Sequence, residues 1–98
     1  MPARERRSST QRPVFQFRLR NGSTIGPIML QRIWENASAS GDVSVARALR
    51  RVGNQKLDHV YSLIGPATLF DLATIETKLR HLLQTAMPGV HIELTRLL

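Results

Sequence analysis

Residues 66–86 constrain this chain more than any other stretch. Leu72, Ile75, Leu79, Leu82 and Ala86 advance by three, four, three and four positions, the step that places side chains on one stripe of a helix. Leu69 and Leu83 broaden that stripe. Thr68 and Asp71 have the spacing of a capping box, in which side-chain oxygens satisfy free backbone donors at a helix start. Pro88 and Gly89 forbid continuation. The spacing therefore predicts one long helix over 67–86, with an apolar face that another surface must cover.

The remaining elements follow from shorter patterns. In residues 14–20, Phe15, Phe17 and Leu19 alternate with Gln16, Arg18 and Arg20, the pattern of a half-buried strand. Asn21-Gly22 predicts a tight turn, opening a hairpin through Ser23, Thr24 and Ile25. Pro27 suits the first position of a helix over 28–38, with Leu30, Ile33, Trp34 and Ala37 on one face. Trp34 on that stripe reads as a core anchor rather than a base-stacking residue. After the small-residue break at 38–41, Asp42 is placed to cap a second helix over 43–52. Val45, Ala46, Leu49 and Val52 form its inward stripe, and Arg47, Arg50 and Arg51 lie off it. Two helices joined by a short turn permit a helix-turn-helix, with the second as reading element. Leu57, His59, Tyr61 and Leu63 mark a strand over 56–64, and Val90, Ile92 and Leu94 another over 90–95. A helix between these two strands has the length of a crossover unit, which permits a parallel pair. The order β-α-α-β-α-β predicts an α+β fold: three to four strands packed on one face by two or three helices.

Composition narrows the function classes. A chain of 98 residues has room for one core. Residues 1–13 lack apolar periodicity and read as a disordered basic arm, leaving 14–98 as the single domain. There is no cysteine, which excludes disulfides and thiolate metal sites. No apolar run reaches the ~20 residues of a transmembrane segment. His59, His81 and His91 are too far apart to suggest a metal centre, and no cofactor motif is present. Carboxylates at a telling spacing, a nucleophile elbow and a Gly-rich phosphate loop are all missing. Asp58, Ser62 and His91 form a catalytic triple only if the fold assembles them. The expectation is a protein that is not an enzyme.

Charge supplies the functional expectation. The net charge is +7, and the first twenty residues carry Arg4, Arg6, Arg7, Arg12, Arg18 and Arg20 against Glu5 alone. The rest balances eight basic groups against six acidic ones. Arginine forks suit phosphate oxygens. Together with Arg47, Arg50 and Arg51, these arginines predict a non-enzymatic nucleic-acid-binding domain. The alternative is a protein-interaction module, a small dimeric adaptor whose arm docks to an acidic partner or acts as a localisation signal. Arg6-Arg7-Ser8-Ser9 also has the form of a basophilic phosphorylation site. Both readings include a homodimer, formed through Leu72, Ile75, Leu79, Leu82 and Leu83 or by pairing of edge strands. The expected location is the cytoplasm, or the nucleus in a eukaryotic or viral source.

Overall fold

The computed structural model describes residues 11–20, 23–52, 56–69 and 71–98. Six elements follow in chain order: β1 (Gln11–Leu19), α1 (Pro27–Ser38), β2 (Ser44–Val52), β3 (Lys56–Pro66), α2 (Leu72–Ala86) and β4 (Ile92–Arg96). The four strands form one sheet in the order β2-β3-β1-β4, with every neighbouring pair antiparallel. β3 and β4 run in the same direction with β1 between them, so the crossover through α2 is split by a third strand. This is the β-α-β-β-α-β order of the ferredoxin-like, split-βαβ arrangement.

The fold is thus α+β, with two helices and the order β-α-β-β-α-β in place of β-α-α-β-α-β. The difference lies in residues 43–52, which form strand β2 rather than a helix. The local pattern there favours a helix, because Ala and Arg are strong helix formers. β2 is an edge strand, so its alternate side chains meet little core and leave no period-two apolar signal. Pairing along its whole length with β3 decides the conformation, from Ser44 opposite Ile64 to Val52 opposite Lys56. The helix-turn-helix expectation falls with it.

Further boundaries move: β3 runs on to Pro66 past the expected 64, and β4 spans Ile92–Arg96 in place of 90–95. β1 begins at Gln11, so residues 11–13 belong to the sheet and not to the arm. Pro13 is tolerated because β4 pairs only from Phe15 onward and the ladder to β3 shifts register between Pro13 and Phe15. Asn21 and Gly22 of the expected turn lie outside the described residues; the N–H of Ser23 donates to the carbonyl of Arg20 at 3.3 Å, and residues 23–26 run irregularly into α1 instead of returning as a hairpin. The long helix over 67–86 is a 15-residue α2 that starts at Leu72. Asp71 precedes it in the left-handed region (φ 57°) and makes no side-chain cap; its carbonyl accepts from the N–H groups of Thr74 and Ile75. No helix among the described residues is long and apolar enough to cross a membrane.

The core lies between the helices and one face of the sheet. Phe15, Phe17 and Leu19 of β1 and Tyr61 and Leu63 of β3 point toward Leu30, Ile33 and Trp34 of α1 and Ile75, Leu79 and Leu83 of α2. Phe17 stacks on Tyr61, directly opposite in the ladder, with ring centres 4.9 Å apart. Trp34 is fully buried, meets Phe15 edge-on and donates its indole N–H to the carbonyl of Ile64 at 3.0 Å. A Cβ at Gly65 would press on Leu69 Cδ1 at 3.1 Å and Val43 Cγ1 at 3.3 Å, with the Trp34 ring in ordinary contact at 3.5 Å.

Candidate nucleic-acid interface

The helices leave the opposite sheet face bare, and its side chains follow from the register. Gln16 and Arg18 of β1, Ala46, Ala48 and Arg50 of β2, Asp58, Val60 and Ser62 of β3, and Glu93 and Thr95 of β4 alternate with the core residues. None is aromatic. Phe15, Phe17 and Tyr61 all point under the helices, so stacking bases on sheet aromatics has no platform among the described residues. Among the described residues, the charged groups of this face and its edges are what a phosphate backbone could meet.

The arginines divide into two groups. Arg18 Nη2 donates to Glu93 Oε1 at 2.5 Å, and Arg20 Nε donates to Glu93 Oε2 at 2.6 Å. Arg18 Nε is buried without a hydrogen bond and stands 3.7 Å from Asp58 Oδ2. The hydrogen bond from Arg20, then that from Arg18, hold the Glu93 carboxyl below its ordinary value of 4.5, against a smaller opposing effect of desolvation. Arg18 and Arg20 are therefore engaged within the molecule. Sequence alone gave no warning, because Glu93 lies 75 and 73 positions from its two partners.

Arg47, Arg50 and Arg51 form the second group. All three are exposed on β2, and among the described residues none has a carboxylate within 4.0 Å. Arg47 stands opposite Tyr61 and so projects on the helix side with Arg51. Arg50, opposite Asp58, projects on the bare face and lines a recess of about 200 Å³ with Arg18, Val60 and Glu93. The three occupy one edge but not one face, and they do not continue a single track with Arg18 and Arg20. Arg12 is exposed in β1, opposite Gly65. Arg4, Arg6 and Arg7, and the phosphorylation motif, lie outside the described residues.

The stripe expected to join two copies is occupied from within. Ile75, Leu79 and Leu83 are buried in the core, and Leu72 and Leu82 are half-buried against it. Nor does the fold assemble a catalytic triple. Asp58 and Ser62 are four residues apart on one strand, roughly 13 Å. His91 points its Nε2 toward Glu93 at 3.8 Å instead. Among the described residues no three His, Asp or Glu side chains gather as a metal site would require. A recess of about 650 Å³ between α1 and α2 is lined by Asn36, Ala73, Thr74, Thr77, Lys78, His81 and Leu82, with no carboxylate to pair with the histidine. Compared with protein-family models, curated proteins and solved structures, the chain gives no significant match.

Proposed function

We propose that this chain is a non-enzymatic nucleic-acid-binding domain that holds phosphates along the β2 edge through Arg47, Arg50 and Arg51. The supporting observation is their exposure on one strand with, among the described residues, no carboxylate within 4.0 Å. Arg4, Arg6, Arg7 and Arg12 add charge that a phosphate backbone attracts at longer range. Phosphate contacts of this kind carry no base-sequence information, so binding by this route is expected to be insensitive to base sequence. The same reading includes a homodimer and a location with the nucleic acid, in the cytoplasm or, in a eukaryotic or viral setting, the nucleus.

Charged residues on an edge strand also serve to block strand addition, with no ligand involved. Salt dependence separates the two. Each phosphate neutralised on duplex DNA contributes about 0.9 to the slope of log affinity against log salt. Replacing Arg47, Arg50 and Arg51 with Gln is expected to lower that slope by about 3 on a random duplex. An unchanged slope, or no binding by the full chain at low salt, would contradict the proposal.

A second reading has its own support. β2 is a nine-residue edge on which Ala46, Arg47, Ala48, Leu49, Arg50 and Arg51 are all exposed, so its outer backbone groups are available to a further strand. That favours the protein-interaction module, with an acidic extended segment as ligand.

A further inference from the structure

We infer that β2 pairs with β2 of a second copy, antiparallel and centred on Ala48, so that the two sheets join into one. This deepens the homodimer included in the reading above. It rests on that reading for the dimer alone and does not require nucleic acid.

The register follows from where the arginines stand. Two copies related by a two-fold axis through the sheet can pair only around a residue, because bare face must meet bare face and opposed residues share a side. Within Ser44–Val52, three centres pair seven or more residues: 47, 48 and 49. Centre 47 sets Arg47 against its own copy. Centre 49 sets Arg47 against Arg51. Like charges directly opposite are unfavourable. Centre 48 uses all nine residues and opposes no arginine to another: Arg51 faces Val45, Arg50 faces Ala46, and Arg47 faces Leu49. The charges disfavour this pairing least: Arg47 meets Arg47 and Arg51 of the second copy only diagonally, at roughly 7–8 Å.

Two independent observations fit the same register. Leu49 is 60% exposed on this edge, an apolar surface that a neighbouring strand could cover. Opposite the Arg47 of the second copy, it gains cover from that arginine's aliphatic stem. It also comes to the helix side, next to a recess of about 280 Å³ lined by Ile25, Pro27, Leu30, Val45 and Tyr61 together with Arg47 itself. At the centre, Ala48 opposes Ala48, and two small side chains allow the backbones to approach. Six guanidinium groups, three from each copy, then share the joint. Salt screens their repulsion, so self-association is expected to strengthen as ionic strength rises, the reverse of binding to phosphates.

The test uses the absence of cysteine from the chain. Single variants Ala46→Cys, Arg47→Cys, Ala48→Cys and Leu49→Cys are each oxidised in the full-length protein and read on a non-reducing gel. Only a residue opposite itself brings its two Cα atoms within the roughly 4.4–6.8 Å that a disulfide spans. Ala48→Cys is expected to form covalent dimer at least tenfold faster than the other three. Faster crosslinking at 46, 47 or 49 overturns the register. A chain that sediments as a single copy at low and high salt, with the Ala48→Cys thiol left free, overturns the dimer. Protection of the β2 amides by an added Glu-rich peptide in that single-copy chain would assign the edge to a foreign acidic strand. Loss of the DNA salt slope with crosslinking intact removes the nucleic-acid reading alone.

Discussion

Glu93 decides how many arginines are left for a partner. Its two carboxylate oxygens take Arg18 and Arg20, and the pair of hydrogen bonds lowers its pKa in the folded chain. A depressed folded pKa means that the carboxylate adds stability above its ordinary value of 4.5 and loses it as pH falls through the folded value. The group is solvent-accessible, so the contribution is small. Thermal denaturation followed from neutral pH downward is expected to show a shallower acid limb for Glu93→Gln than for the wild type, the wild type being slightly the more stable above about pH 4.5 and losing that margin below it. The same substitution frees Arg20 and leaves Arg18, which lines a recess with Arg50, with Asp58 alone. It is expected to steepen the DNA salt slope by about 1 to 2, and an unchanged slope would mean that these arginines face no phosphate.

The elements most legible in the sequence were those whose side chains meet the core. Alternation in β1 and the stripe of α1 correspond to buried faces, Ile92 and Leu94 of β4 pack half-buried against the same core, and Pro27 marks the start of α1. α2 kept its stripe but lost its first turn, because Asp71 sits in the left-handed region instead of closing a capping box with Thr68. β2 was misread because an edge strand writes little of its conformation into apolar spacing, while its Ala and Arg residues favour a helix locally. Arg47, Arg50 and Arg51 were therefore named correctly as exposed cations but assigned to one side of the wrong element. The apolar stripe of α2 was legible too, although what covers it was not. It is covered from within, so Leu79→Ala is expected to cost about 2–5 kcal/mol in denaturant unfolding. The loss is expected to be independent of protein concentration; a loss that vanishes on dilution would place this stripe between two copies.

At the scale of the whole molecule, composition shows a strong cation with an uneven distribution, and the fold redistributes that charge. The pairing of Arg18 and Arg20 with Glu93 joins strands far apart in sequence, so no local reading of the chain could have subtracted them. What remains includes a basic β2 edge, as well as Arg12, Arg32 and Lys78, which are also exposed, and the buried aromatic residues are turned away under the helices. The central claim is that this edge is where anions dock. Amide shift mapping of the full chain during titration with a mixed-sequence DNA duplex at low salt tests it most directly. The expected result is that the largest shifts fall on residues 46–51 and reverse when salt is added. Shifts concentrated on the outer face of α2, or none at any DNA concentration, would contradict it.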